Sequence, residues 1–152
     1  MKFILQSILI FLISFTFGIF FAFYKKIPLF PENTEVFLLS KKYPEISFID
    51  SEKLLNLIGR DDILLIDARE REEYLKGHIK AAINIPYPEF YSNPLNFISI
   101  LDTERKIIIY CDGGFCELSF KLAELLKELG FKEITIYTGG FYEWNKKGYP
   151  LE

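Results

Sequence analysis

The segment from Ile107 to Gly130 constrains the fold most. Ile107-Ile108-Ile109-Tyr110 is a short unbroken apolar run, the pattern of a strand buried on both faces. Cys111-Asp112-Gly113-Gly114-Phe115-Cys116 follows directly. Residues 117–129 then carry Leu118, Leu122, Leu125, Leu126 and Leu129 at helical spacing, and Gly130 stands where a helix stops.

The pattern recurs along residues 46–152. Asp50 or Ser51 can cap a short helix bearing Leu54, Leu55, Leu57 and Ile58, ended by Gly59. Ile63-Leu64-Leu65-Ile66 predicts a buried strand, residues 70–76 a charged helical turn, and Ala81 to Ile85 a strand closed by Pro86. Pro88 and Pro94 break the next stretch. Ile134-Thr135-Ile136-Tyr137 predicts another strand, and a last helix follows Gly139-Gly140 with Phe141 and Trp144 on one face. Strands alternating with helices predict an α/β domain around a parallel sheet. In such sheets ligands sit beyond the carboxyl ends of the strands.

Cys111 occupies such an end. A helix start offers unpaired backbone N–H groups and about half a positive charge. Gly113 and Gly114 let the backbone curl, so amides can turn inward. A thiolate or persulfide there is stabilised, and cysteines so placed fall from a pKa near 8.5 to roughly 3.5–7.5. The alternative is a small buried apolar residue at a strand end.

A different signal opens the chain. From Phe3 to Tyr24 there are 22 residues without a charge, and 15 of them are Leu, Ile or Phe. As a helix they rise roughly 33 Å, against a bilayer core of about 30 Å. Each large apolar residue contributes about −0.3 to −0.6 kcal/mol to insertion. Residues 1–24 are therefore expected to be a single-pass membrane anchor. A cleaved signal peptide has a shorter apolar run and a small-residue cleavage site, which Ala22-Phe23-Tyr24 does not supply. The side of the membrane is left open. Lys25, Lys26, Lys41 and Lys42 favour a cytoplasmic domain, whereas a short tail before the run resembles a signal anchor that exports it. Residues 25–45, with Pro28, Pro31 and Pro44, read as a linker.

Composition excludes other classes. With 18 Lys and Arg against 21 Asp and Glu, and no basic stripe, nucleic acid is not an expected partner. Two cysteines and one histidine are too few for a disulfide scaffold or a structural metal site, and no cofactor is expected.

Several pieces together resemble the rhodanese family. Leu65-Ile66-Asp67-Ala68-Arg69 resembles the segment in which a strand ends in Asp-x-Arg. Glu73-Tyr74 and then Gly77 to Pro86 resemble the Gly-His-Ile-x-Gly-Ala-x-Asn-Ile-Pro stretch, with Ala81 in place of a glycine. Ile109-Tyr110-Cys111 matches the strand leading to the family's cysteine. Gly130-Phe131, Gly139-Gly140, Trp144 and Gly148-Tyr149-Pro150 match the closing pattern.

The resemblance implies a parallel sheet flanked by helices. It implies that Cys111 takes a sulfane sulfur from a donor as a persulfide and passes it to a thiol or other nucleophilic acceptor. Asp112, Gly113, Gly114, Phe115, Cys116 and Glu117 would form the active-site loop, with backbone N–H groups of Gly113, Gly114 and Phe115 lining a cradle. Asp67 and Arg69 would brace that loop, and His78 would be structural. The loop departs from the family pattern: it is about two residues longer, Ser119 is the candidate for the serine that usually follows, and Asp112 and Glu117 stand where arginines are common.

Anionic thiosulfate is poorly matched to such a loop, and a neutral persulfide or protein-borne donor fits better. Phosphatases of this fold need Cys-x5-Arg to clamp the phosphoryl oxygens, and Glu117 holds that position. Cys116, at Cys-x4-Cys spacing, could resolve a persulfide on Cys111 or lock it in a disulfide, against the alternative of a spare small residue at the helix start. Two further readings stay open: a thiol–disulfide module using Cys111 and Cys116, or, because fold does not fix function, a non-catalytic interaction domain.

Overall fold

The computed structural model describes residues 2–24, 34–102, 104–114 and 116–152. The chain divides into two compact units, Met1–Leu38 and Leu39–Glu152. The first contains α1, Lys2–Tyr24. Phe3, Ile4, Leu9, Ile10, Phe11, Phe17 and Phe20 are all exposed on it. Among the described residues no helix is long and apolar enough to cross a membrane; within α1 the unbroken run of described side chains is 6–20.

The helix α2, Thr34–Lys42, forms within the stretch read as a linker, while 25–33 lie outside the described residues. Leu39 at its second half is buried with the core, and Tyr43 packs beside it, so the second unit begins at Leu39 rather than at residue 46. Only one turn of α2 meets the core, which is why no long apolar period marks it.

Five strands form one sheet: β1 Ser47–Ile49, β2 Ile63–Asp67, β3 Ala82–Asn84, β4 Lys106–Tyr110 and β5 Ile134–Tyr137. Their spatial order is β1-β5-β4-β2-β3, with every pairing parallel. The connecting helices are α3 Ser51–Leu55, α4 Arg71–Lys76, α5 Tyr87–Ser92, α6 Leu95–Ile98, α7 Glu117–Glu128 and α8 Gly140–Lys146. The expected parallel α/β architecture is thus observed. Asp50 caps α3, its carboxylate accepting from Lys53 N at 2.8 Å. Pro88 lies in the first turn of α5, where a missing N–H costs nothing, so it starts a helix rather than breaking one.

Strand parity divides the core into two layers. Leu64, Ile66, Ile107, Ile109, Ile134 and Ile136 face Leu39, Phe90, Leu122, Ala123 and Leu126. Ile63, Leu65, Ile108, Tyr110 and Tyr137 face Leu54 and Trp144 on the other side. Each fully buried Leu or Ile contributes roughly 1.5–3 kcal/mol. On α7, Leu122 and Leu126 are fully buried, whereas Leu129 is exposed because the helix ends before it. Gly130, at φ 96°, donates to Lys127 O, and Phe131 N donates to Leu126 O at 3.1 Å. These two bonds close a Schellman motif. The C-terminus of α7 is thereby closed, and the loop between β4 and α7 lies at the carboxyl edge of the sheet.

Candidate functional site

Cys111 follows β4 and is buried, at 2% exposure. Its Sγ is bonded to Sγ of Cys116 in a disulfide whose Cα atoms lie 6.4 Å apart. Cys116 is the N-cap residue of α7 and is half-buried. Ser119, one turn in and also buried, has its Oγ 3.5 Å from Cys111 Sγ. The same hydroxyl donates to Cys116 O at 3.2 Å. The candidate for the family's serine therefore does stand beside the sulfur.

The loop is held by glycines in close contact. Gly113 has φ 136° and Gly140 φ 61°, both in the region L side chains avoid. A Cβ on Gly113 would lie 2.5 Å from Gly139 O, and one on Gly140 2.4 Å from Gly113 N. Phe141 N donates to Cys111 O at 2.7 Å, and Tyr142 N donates to Asp112 O at 2.9 Å. The first orphan amides of α8 are thus satisfied by the two carbonyls that open the loop. Gly114 N donates to Thr138 O at 2.9 Å. This corrects one expectation: the Gly114 amide is committed to the turn after β5 and does not face the sulfur. Phe115 lies outside the described residues.

Asp67 and Arg69 form a buried pair at the end of β2. Arg69 Nη2 donates to Asp67 Oδ2 at 2.7 Å and to Gly77 O at 2.8 Å. Arg69 Nε lies 3.0 Å from Asp67 Oδ1. The guanidinium lies over the Phe141 ring, 3.9 Å from its centroid, and its Nη1 is 3.9 Å from Asp112 Oδ1. Burial pulls its pKa down, but the hydrogen bonds and charge of Asp67 outweigh this and raise it. Arg69 therefore remains a cation, and it joins β2, α8 and the loop in one contact set.

The rim is acidic. Asp112 and Glu117 are exposed, and Glu117 pairs with Lys121 at 2.7 Å. The Lys121 ammonium holds the Glu117 carboxyl below its ordinary value. His78 lies among other partners: its ring stacks on Tyr74 at 3.8 Å, and its Nε2 is 4.0 Å from Glu152 Oε2. Ile79 N donates to the Tyr110 hydroxyl at 3.0 Å, tying the His78 segment to β4. Among the described residues no group of three or more His, Cys, Asp or Glu is placed to hold a metal ion.

The structure thus brings together Cys111, Asp112, Gly113, Cys116, Asp67 and Arg69. The sequence did not mark Thr138, Phe141 and Tyr142 as site residues: Thr138 and Tyr142 act through backbone groups, and Phe141 through its amide and its ring under Arg69. The paired glycines at 113–114 and 139–140 were the available sign that two turns meet closely.

The sequence profile of the rhodanese-like domain matches residues 50–147. The chain belongs to the rhodanese-like domain family. The "Putative thiosulfate sulfurtransferase, mitochondrial" of Schizosaccharomyces pombe is 30% identical over 75% of this chain and 88% of its own length. An HTH-type transcriptional regulator of Mycobacterium tuberculosis is 31% identical over 68% of this chain, which spans only 44% of that protein. A tRNA uridine(34) hydroxylase of Hamiltonella defensa is 32% identical, matched over 30% of its length. Among solved structures, a Bacillus halodurans protein superposes with a TM-score of 0.64 at 29% identity, covering 80% of this chain and 86% of its own. Rhodanese-like domains thus occur in relatives both nearly alone and as parts of larger proteins.

Proposed function

We propose that this rhodanese-like chain is a membrane-anchored sulfurtransferase or sulfur carrier that works through a persulfide on Cys111. One observation carries the reading: the sulfur of Cys111 ends a central strand and stands at the first turn of α7, 3.5 Å from Ser119 Oγ. In reduced protein the Cys111 thiolate attacks a sulfane sulfur of the donor. The donor's S–S bond breaks and its leaving group departs with the electron pair. An acceptor nucleophile then takes the outer sulfur and returns Cys111 as thiolate. The helix start and the Ser119 hydroxyl stabilise the anion at each stage.

The acidic rim of Asp112 and Glu117 directs donor choice. Arg69, which meets the loop at Asp112, already serves Asp67. A persulfide, which brings at most one negative charge on its reacting sulfurs and can be presented by a protein, is therefore preferred as donor over dianionic thiosulfate, and the acceptor is a thiol.

The anchor rests on the uncharged run at residues 3–24. As a helix, that 22-residue run would rise about 33 Å, against a bilayer core of about 30 Å. Its exposed Phe, Ile and Leu side chains have no aqueous purpose as a group. Alkaline carbonate extraction of membranes tests this: full-length chain should stay in the pellet, and recovery in the supernatant refutes the anchor.

The sulfur reaction is tested with the Cys116→Ser variant of the full chain in detergent micelles, reduced and then treated with glutathione persulfide. Cys111 should gain about 32 Da, the mass of one persulfide sulfur. A Cys111 that stays unmodified yet alkylatable refutes the carrier role.

A second reading is favoured by the disulfide itself. Cys111 and Cys116 would then exchange electrons with partner dithiols and no sulfane sulfur would be involved. Full activity of the chain in dithiol exchange, with no persulfide formed in Cys116→Ser, would select this reading.

A further inference from the structure

We infer that Cys116 resolves the Cys111 persulfide within the chain and releases its sulfur as hydrosulfide. The inference rests on the Cys111 persulfide reading above. It adds a second sulfur nucleophile with a defined target atom.

A persulfide offers two sulfurs to attack. Attack on the outer sulfur moves it to the attacker; attack on the inner one expels it. The structure decides between them, because Cys116 Sγ is bonded to Cys111 Sγ, the atom that becomes the inner sulfur. Cys116 therefore already lies on the geometry of the second path. A Cα separation of 6.4 Å falls within the roughly 4.4–6.8 Å that a disulfide spans, so little backbone movement is needed.

The surroundings support the step. Cys111 is buried, so a bulky outside thiol meets its inner sulfur poorly, while Cys116, five residues on across the loop, meets it readily. Closing so short a loop costs little entropy. Cys116 is the N-cap residue of α7 and its side chain makes no capping bond, and the helix start there favours thiolate over thiol. The other side of the loop is held: Cys111 O and Asp112 O accept amides from α8, and Gly113 is wedged against Gly139 and Gly140. Cys111 is thus the fixed partner, and Cys116 is delivered to it.

The step balances as follows. The Cys116 thiol gives its proton to solvent, and its sulfur attacks Cys111 Sγ. The outer sulfur takes a proton from solvent; its bond to Cys111 Sγ breaks, and it leaves with the electron pair as hydrosulfide. The sulfane sulfur is reduced to sulfide while the cysteine pair is oxidised to the disulfide observed. Hydrosulfide is the conjugate base of a stronger acid than a cysteine thiol, so it leaves the more readily. A dithiol reductant of the thioredoxin type would return the pair to thiols for the next cycle.

Full-length chain in detergent micelles, reduced and desalted, is treated with glutathione persulfide, desalted again and followed without added thiol. Wild type should release one sulfide per chain and finish as the Cys111–Cys116 disulfide. Cys116→Ser and Cys116→Ala should hold the added sulfur on Cys111 at least tenfold longer and release little sulfide. A thermal melt of both variants checks that they fold, and the wild-type reaction is decisive without them. Wild type that keeps a persulfide on Cys111 beside a free Cys116 overturns the inference but leaves the carrier reading intact. Extra sulfur on Cys116 shows attack at the outer sulfur and overturns it as well. Failure of the Cys116 variants to load Cys111 at all refutes the carrier reading instead.

Discussion

Gly140 approaches Gly113 so closely that a Cβ on Gly140 would sit 2.4 Å from the Gly113 nitrogen. The opposing atoms are backbone, which cannot swing aside as a long side chain can. Gly140 also has φ 61°. Gly140→Ala should therefore destabilise the domain by about 2–4 kcal/mol, combining overpacking with left-handed strain. It should also slow sulfur loading of Cys111. Thermal melts and the mass assay check both; an unchanged melting temperature would contradict the close packing.

The buried pair of Asp67 and Arg69 predicts a non-additive mutant cycle. Asp67→Ala leaves a guanidinium that is 2% exposed without its main partner. It should cost about 3–5 kcal/mol, as breaking buried pairs does. Asp67→Leu combined with Arg69→Met removes both charges and should cost less than Asp67→Ala alone. Denaturant titration of the single and double variants measures the coupling. Strict additivity would mean that the pair contributes nothing as a pair.

Ala81 has φ 65°, a conformation suited to glycine. Ala81→Gly should relieve about 1 kcal/mol of left-handed strain, reduced somewhat by the greater freedom of glycine when unfolded. A small rise in melting temperature is expected, and a fall would refute the strain.

Glu143 supplies the pH dependence. Burial pushes its carboxyl up, but hydrogen bonds from Lys147 and Ser51 outweigh this and hold it below the ordinary 4.5. A carboxyl with a depressed folded pKa stabilises the fold above its unfolded value and loses that contribution as pH falls through the folded one. Wild type should thus exceed Glu143→Gln in stability at neutral pH. The gap should narrow below about pH 4.5, as the unfolded carboxyl protonates first, and close once the pH falls below the folded value. Melting temperatures across that range read it out, and a gap that does not change with pH would rule it out.

What the sequence made legible was local. The strand at Ile107–Tyr110 and the helix after Cys116 show themselves because burial on two faces, a helical leucine spacing and a glycine stop are written in adjacent residues. The Asp67-x-Arg69 bracing was also readable, since its main bond is made two residues away. Contacts made through the backbone across the fold were not. Nothing near Gly114 in sequence says that its amide goes to Thr138 O, or that Phe141 N goes to Cys111 O. β1 escaped for a related reason: it is three residues long, exposed or half-buried, and exists because Ser47, Phe48 and Ile49 pair with Thr135, Ile136 and Tyr137. The pairing of Cys111 with Cys116 could be read only as an option, because the curl between them depends on Gly139 and Gly140 far along the chain.

The alternation along β4 reaches past its last residue. Ile107 and Ile109 point into the layer under α7, and Ile108 and Tyr110 into the layer under α8. Cys111 continues the odd count, so its sulfur emerges on the α7 side beside Ser119. One residue gained or lost before Cys111 would reverse that parity and send the sulfur toward Trp144 instead. The sulfur's position is set by counting along the strand.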